Sequence, residues 1–203
     1  AELNKRGIDI RILPGAEVTV SPEMIGHLTE GNHLTINSDR YFLAEFSPLS
    51  VPAHWDTFLL TFLDAGMTPI IAHPERNAWF IHHLKPLAAA VQKGIILQIT
   101  AASLTGDFGP LAQAFCVRLL KKNLVHVIAS DGHSADLRPP LLAEAVDLAT
   151  DVVGRERAEA LVTSFPQAII EGTEMPAMEP VECNPQVQAP GRNWLQRLGL
   201  ANY

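Results

Sequence analysis

The chain has 203 residues, of which 47% are hydrophobic and 18% charged, and its formal net charge at pH 7 is -7. This length fits one domain with a substantial core, and the composition is that of a soluble globular protein. The acidic balance and the lack of any Lys/Arg block argue against a nucleic-acid-binding face. No apolar run reaches the roughly 18 residues that a membrane span needs, and no signal peptide is recognisable.

The use of cysteine and histidine indicates the kind of chemistry to expect. The chain has two cysteines against eight histidines. Cys116 falls in an apolar helical stretch and Cys183 in a proline-rich segment, so we expect no disulfide between them. This usage predicts imidazole and carboxylate chemistry in a reducing, cytoplasmic setting.

The first part of the chain is read as short strands and turns. Residues 1–6 are good helix formers that end at Gly7 without an N-cap before them, so we expect a helix whose beginning is absent and a natural protein longer than this chain. Residues 21–33 are irregular or form a short helix. Predicted in chain order are strands at residues 8–13, 34–37 and 41–46, a helix at 55–65 and a strand at 69–72.

From residue 41 onward, strands and helices alternate. The later elements are a helix at residues 84–93, a strand at 95–99, a helix at 111–122, a strand at 125–129, helices at 139–149 and 156–163, and a short closing element at 166–170. Several strands are continuously apolar, as in parallel sheets covered on both faces. The pattern predicts an α/β fold, either a barrel or a doubly wound sheet.

Prolines change the character of the chain after Gly172. We assign residues 1–172 to one domain and 173–203 to a proline-rich, flexible tail. For the short amphipathic end at residues 193–200, two interpretations stay open, docking on the domain and docking on a partner. The prolines that break the tail are Pro176, Pro180, Pro185 and Pro190.

Side chains of the metal-ligand type follow the predicted strands. In a parallel barrel the active site lies at the carboxyl ends of the strands. Two imidazoles and three carboxylates are expected there, a donor set suited to Zn²⁺, Mn²⁺ or Fe. Such ions activate water near neutral pH and clamp a phosphoryl group. These residues are Glu17, after the first strand and its turn, Glu45, His73, Asp131 and His133.

Two arginines lie just past two of these strand ends. Arg76 follows His73 by three residues, and Arg138 follows Asp131. A guanidinium group binds phosphate oxygens bidentately, through two parallel hydrogen bonds, which favours a phosphoester substrate. Taken singly, Glu17 or Glu45 would more often be a solvated loop residue and His73 a core histidine. The joint pattern favours a metal site.

The remaining histidines and the other catalytic motifs add little. We interpret His126 as structural packing within a strand, and His82 and His83 as exposed. No phosphate-binding loop of the cysteine-phosphatase type, no G-x-x-x-x-G-K-[S/T] loop and no G-x-S-x-G elbow occurs. The chemistry is therefore expected to come from metal rather than from a protein nucleophile. No ligand spacing marks the others, His27, His33 and His54.

Three segments carry a resemblance to a known family. Ile-Ile-Ala-His73-Pro-Glu-Arg76-Asn, Gln98-Ile-Thr-Ala-Ala-Ser-Leu-Thr-Gly106 and Ala-Ser-Asp131-Gly-His133-Ser resemble the bacterial capsule-biosynthesis tyrosine phosphatases of the CpsB/YwqE type, in the polymerase-and-histidinol-phosphatase (PHP) superfamily. The resemblance runs from about residue 8 to residue 171. It implies a distorted parallel (β/α) barrel of the PHP type with up to three metal ions at its mouth.

The resemblance also implies roles for single residues. The implied reaction is hydrolysis of phosphotyrosine on a protein, usually the tail of a bacterial tyrosine kinase that controls exopolysaccharide export. Mn²⁺ is the expected metal, with Fe, Zn²⁺ and Mg²⁺ as alternatives, and the oligomeric state stays open. Arg76 and Arg138 would act as the catalytic, phosphate-binding residues, and the metal ligands would be Glu17, Glu45, His73, Asp131 and His133.

One family feature is missing from this chain. The family begins with a strand that carries Asp-x-His-x-His and a further acidic ligand, and nothing like it occurs here. The implied barrel is incomplete at the N-terminus, and a chain without these ligands can be inactive. Two other functions therefore stay open: a PHP phosphoesterase of a small metabolite such as histidinol phosphate, and a non-catalytic remnant that binds a kinase tail.

Overall fold

A five-stranded parallel sheet forms the centre of the protein. The computed structural model describes residues 5–24, 26 and 34–178. In sheet order the strands are β1 (Glu17–Thr19), β2 (Tyr41–Glu45), β3 (Thr68–Ala72), β4 (Ile96–Thr100) and β5 (Val127–Ala129), each parallel to the next. The predicted α/β fold is confirmed. A doubly wound sheet reverses its strand order, so the consecutive order fits the barrel of the two architectures that the sequence left open.

Helices connect the strands. Eight α-helices and two short 3₁₀ helices, at Ile36–Ser38 and Pro74–Arg76, lie wholly within the described residues. No helix in this part of the chain is long and apolar enough to cross a bilayer. The α-helices are α1 (Trp55–Asp64), α2 (Ala78–His82), α3 (Leu84–Gln92), α4 (Ala101–Thr105), α5 (Pro110–Lys121), α6 (Ala143–Val153), α7 (Arg155–Ala160) and α8 (Ser164–Ile170).

The two faces of the sheet pack into different hydrophobic clusters. Phe42, Ile71 and Leu97 belong to the larger cluster, which includes residues of most of the helices. Tyr41 and Ile70 belong to a smaller cluster that also contains Ile96, Val127 and Ile169. Successive side chains of a strand point to opposite faces. Glu45 therefore lies on the face of Tyr41, and Glu17 lies there too because it is in register with Leu43.

An aromatic group supports the segment after β2. Phe80 of α2 is fully buried and meets Phe46 and Trp55 edge to face, with ring centroids 5.1 Å apart in each pair. Phe46 and Trp55 also contact each other at 5.5 Å. Such pairs stabilise a core beyond the area they bury.

Truncation of Phe80 should therefore be costly. We expect Phe80→Ala to lower the free energy of unfolding by about 3–5 kcal/mol, because it removes one ring from a closed group of three and leaves a cavity. Urea unfolding of the variant and the parent chain measures the difference. Leu49→Ala is the control, since Leu49 is 87% exposed and should change stability very little. A loss below about 1 kcal/mol in Phe80→Ala would show that this group does not hold α2.

Two strand predictions near the N-terminus were wrong. Residues 8–13 form no strand, and Ile8, Ile10 and Ile12 are exposed. Their alternation with polar residues matches a strand, but none of the five strands in the described part of the chain pairs with them. Residues 34–37 also form no strand. Ile36–Ser38 is a 3₁₀ turn in which Asn37 has φ 56°, a left-handed conformation that Asn tolerates better than most residues.

Helix boundaries were less accurate than helix positions. The helix predicted from Pro139 begins instead at Ala143, because prolines lack an N–H and bias the preceding residue away from the helix. Helices α2 and α4 were missed, since five residues each are too few to show helical periodicity. The other strands and helices predicted between residues 41 and 170 are confirmed with ends shifted by a few residues. The helix end expected at residues 1–6 and the amphipathic segment expected at residues 193–200 lie largely or wholly outside the described residues.

His126 is buried, as predicted, and directly precedes β5. Its Nδ1 accepts a hydrogen bond from the backbone N–H of Leu97 at 3.1 Å. Burial, and after it the charge of Arg157, lower the pKa of His126 from 6.5 to about 4. His82 and His83 are exposed, also as predicted. Cys116 is buried and free within α5, while Cys183, His27 and His33 lie outside the described residues.

This histidine should make the protein less stable in mild acid. Between pH 6.5 and about 4 the unfolded chain binds a proton at His126 that the folded chain does not. The free energy of unfolding therefore falls as the pH drops through this window, by up to about 3 kcal/mol at its lower end. Urea unfolding at several pH values should show a shallower pH dependence for His126→Gln. The exposed His83→Gln should keep the parent slope, and equal slopes in all three proteins would contradict the assignment.

Candidate metal and phosphate site

Three side chains of the ligand type converge at the edge of the sheet. His73 Nε2 lies 3.1 Å from Glu17 Oε1 and 3.6 Å from Glu45 Oε1. One ligand atom from each of the three residues can be chosen so that all lie within 4.8 Å of one another. Atoms bound to one ion at about 2.1 Å are themselves roughly 3–3.5 Å apart. The spacing and the mixed carboxylate and imidazole donors thus fit a divalent ion such as Mn²⁺, Fe²⁺ or Zn²⁺.

Three different strands position these residues. Glu45 is the last residue of β2 and His73 directly follows β3. Glu17 is the first residue of β1, so the expectation that it follows a strand and its turn was wrong. The reason is that the first strand lies at Glu17–Thr19 and not at residues 8–13.

Two residues at strand ends adopt an uncommon backbone conformation. His73 has φ 33° and Asp131 has φ 49°, both in the left-handed region. Residues other than glycine rarely occur there, and those that do cluster at functional sites. At His73 the chain turns at once into the 3₁₀ helix Pro74–Arg76, which carries Arg76 to the same edge of the sheet.

Electrostatics couple His73 to Glu17. Burial alone would lower the pKa of His73, but the hydrogen bond and the charge of Glu17 outweigh it, so this pKa is raised. The same hydrogen bond is the main reason that the pKa of Glu17 is lowered. The pair thus favours the protonated form of the imidazole. A metal ion must displace that proton, so its affinity should increase with pH.

Asp131 lies between the two arginines. Its carboxylate is 12% exposed and accepts hydrogen bonds from Arg76 Nη1, at 2.8 Å, and from Arg138 Nη2. The ring of Phe108 lies against both guanidinium groups, with its centroid 4.7 Å from Arg76 Cζ and 5.5 Å from Arg138 Cζ. Two cations sharing one carboxylate leave an excess positive charge, which suits a phosphate.

His133 lies next to Asp131 and is largely exposed. Its side chain is 60% exposed, and Nδ1 lies 2.8 Å from the backbone oxygen of Asp131 and 3.6 Å from Asp131 Oδ1. The structure therefore brings Glu17, Glu45 and His73 together. It places Asp131 and His133 next to the arginines, outside that group of three among the described residues. Their service as metal ligands stays a prediction.

Two residues of the His-Pro-Glu-Arg-Asn segment support the site and were not singled out in the sequence. Glu75 is fully buried, and its Oε1 accepts a hydrogen bond from the Thr100 N–H at the end of β4. Burial raises the pKa of Glu75. Asn77 caps α2 through the Phe80 N–H and donates to the Ser47 carbonyl at 2.6 Å. The signal available in the sequence was that this short, mostly polar segment has apolar residues on both sides.

Fold and site together define a class: a parallel α/β protein with a candidate metal centre and an arginine pair at the carboxyl edge of its sheet. The chain belongs to the CpsB/CapC family of capsular polysaccharide synthesis, whose family model matches residues 1–171. The resemblance carried by the three sequence segments is thereby confirmed.

Individual relatives agree with this assignment. The chain is 37% identical over 141 residues to the tyrosine-protein phosphatase YwqE of Bacillus subtilis (strain 168), covering 68% of this chain and 56% of that protein. It is 31% identical over 175 residues to the tyrosine-protein phosphatase CpsB of Streptococcus agalactiae, covering 84% and 72%. The chain thus spans little more than half the length of the first of these relatives.

A solved structure has the same fold. It comes from work on YwqE from Bacillus subtilis and CpsB from Streptococcus pneumoniae, which are described as unique metal-dependent tyrosine phosphatases. The TM-score is 0.81 at 31% sequence identity, and the match covers 89% of this chain and 74% of the other.

Proposed function

We propose that this chain acts as a metal-dependent protein-tyrosine phosphatase. The observation that carries the proposal is the convergence of Glu17, Glu45 and His73 at the edge of the sheet to which Arg76 is also delivered. One half of this arrangement suits a divalent cation, and the other suits a phosphate. The names of the relatives YwqE and CpsB support the choice of phosphotyrosine.

Each group has a separate task in this proposal. Glu17, Glu45 and His73 hold a divalent ion, with Asp131 and His133 as further ligands for a site of up to three ions. Mn²⁺ is the first candidate, and Fe, Zn²⁺ and Mg²⁺ are the alternatives. Bound ions of this kind lower the pKa of water and offset charge on a phosphoryl group.

The arginines act on the phosphate itself. The guanidinium groups of Arg76 and Arg138 donate paired hydrogen bonds to its oxygens and stabilise the charge that develops during transfer. Phe108 packs against both groups and restricts their orientation. The substrate we infer is a phosphotyrosine protein, in particular a bacterial tyrosine kinase that regulates exopolysaccharide synthesis. Membership of a capsule-synthesis family supports this partner.

Release of inorganic phosphate tests the proposal. The chain is supplied with Mn²⁺ and offered either a phosphotyrosine peptide or histidinol phosphate, with EDTA as the metal-free control. We expect hydrolysis of the peptide, loss of activity in EDTA and recovery with added Mn²⁺. Preference for histidinol phosphate would contradict the tyrosine phosphatase assignment. Peptide binding without any turnover would favour the non-catalytic alternative.

A further inference from the structure

A cavity adjoins the arginine pair and has no role in the function proposed so far. Its volume is about 480 Å³, and it lies between the segment after α4 and the segment that leads into α6. The walls are largely apolar and include Phe108, Leu137, Pro139 and Leu141. Ligand pockets generally have volumes of about 300–1,000 Å³, so a side chain of a substrate fits.

The cavity is continuous with the candidate phosphate site. Arg138 lines the cavity and also donates to Asp131. Phe108 lines it too, and its ring contacts the guanidinium groups of both arginines. A phosphate held by these arginines would therefore lie at the edge of the cavity, with its organic group close to the apolar walls.

The exposure of the apolar side chains that line the cavity favours a ligand-binding role for it. Leu137 is 90% exposed and Leu141 70% exposed, and Phe108 is 37% exposed. Contiguous exposed apolar side chains beside polar groups are typical of binding sites. The occupant is apolar but not strongly anionic, because Asp107 and Glu144 also line the cavity and would repel a second phosphate or a carboxylate.

We propose that this cavity binds the aromatic ring of phosphotyrosine, and that Phe108 and Leu141 determine the selectivity for phosphotyrosine over phosphoserine. The inference rests on the proposed function, since it concerns the same phosphate. A tyrosyl ring brings a large apolar surface against Phe108 and the leucines. Phosphoserine has a single carbon between backbone and phosphate and leaves these walls uncovered. Aromatic pairs stabilise a complex beyond the area that they bury.

Binding of matched peptides tests this inference without requiring turnover. Two fluorescent peptides of one sequence, carrying phosphotyrosine or phosphoserine, are titrated with the chain in the presence of Mn²⁺, and inorganic phosphate serves as a competitor. The variants are Leu141→Ser and Phe108→Ala. Leu49→Ser is the matched control, because Leu49 is an exposed leucine that does not line the cavity.

We expect the parent chain to bind the phosphotyrosine peptide at least about tenfold more tightly than the phosphoserine peptide. Leu141→Ser and Phe108→Ala should reduce this preference by about three- to tenfold, and Leu49→Ser should retain it. Leu141→Ser should bind inorganic phosphate as the parent does. Unchanged binding of inorganic phosphate would show that Leu141 contacts the ring and does not merely support the arginines.

Four other results are distinguishable from this one. An unchanged preference in both variants would overturn the inference, as would equal weakening of both peptides and of inorganic phosphate in Leu141→Ser. Tight, ring-selective binding by a chain that releases no phosphate would uphold the ring site and contradict only the phosphatase activity. No binding of any phosphorylated ligand would overturn both.

Discussion

Replacement of His73 with Asn is expected to lower the affinity of the chain for Mn²⁺ by at least about 100-fold and to abolish metal-dependent phosphate release with it. The imidazole lies between two carboxylates, 3.1 Å from Glu17 and 3.6 Å from Glu45. Without it, two like charges face each other across a site with one ligand fewer. Metal bound after dialysis, together with isothermal titration of Mn²⁺, measures the loss.

Asn is the informative replacement because of the backbone at this position. His73 has φ 33°, and Asn tolerates the left-handed region better than most residues. The variant should therefore fold, with a loss of about 1–2 kcal/mol in the free energy of unfolding for the broken hydrogen bond to Glu17. Glu45→Gln provides a second variant, which removes a ligand charge without touching that backbone. His82→Asn is the control, since His82 is exposed at the end of α2. Parent-like Mn²⁺ affinity in both His73→Asn and Glu45→Gln would refute the metal site.

The strand ends of the sheet were predictable from the sequence because an apolar run that stops at a polar ligand is a local signal. His73 follows a strand whose five residues are all buried, and Glu45 ends another strand. Parallel strands in consecutive order then bring such residues to one edge. Glu17 was predicted by the same reasoning, as a residue that follows a strand and its turn, but its place in the site has a different cause. It begins its strand, and its place beside His73 depends on the stagger of the sheet.

Other features depend on contacts between distant segments and leave no local pattern. Asp131 was predicted as a metal ligand from its spacing to His133, and that role stays a prediction. Its pairing with Arg76, 55 residues earlier, arises only when the ends of β3 and β5 come close. Phe108 shows no periodicity and stands between Gly106 and Gly109, yet it contacts both arginines. Ile8, Ile10 and Ile12 show the opposite case, because their pattern is strand-like but no strand among residues 5–24, 26 and 34–178 pairs with them.

Replacement of either arginine of the pair is expected to give the other large effect, a loss of catalytic activity. Arg76→Met and Arg138→Met should each lower kcat/KM for a phosphotyrosine peptide by about 10²–10³-fold, because each removes a preorganised cation from the phosphate. Bound metal should stay near the parent level, since neither arginine belongs to the group formed by Glu17, Glu45 and His73. Arg155→Met is the control, as Arg155 is exposed and pairs with its helical neighbour Glu159. Parent-like kinetics in Arg76→Met and Arg138→Met would refute the phosphate assignment.

Asp131 pairs with both arginines, and its replacement allows the phosphate assignment to be tested without metal. Asp131 neutralises one of the two guanidinium charges, so Asp131→Asn should leave both arginines free and increase the affinity of the metal-free chain for inorganic phosphate. Arg76→Met should decrease it, and the double variant should lie between the two single variants. Titration with phosphate in EDTA at low and high salt measures these affinities, and the differences should shrink at high salt because exposed charges are screened. Weaker phosphate binding by Asp131→Asn would mean that this carboxylate orients the arginines for the substrate and does not compete with it.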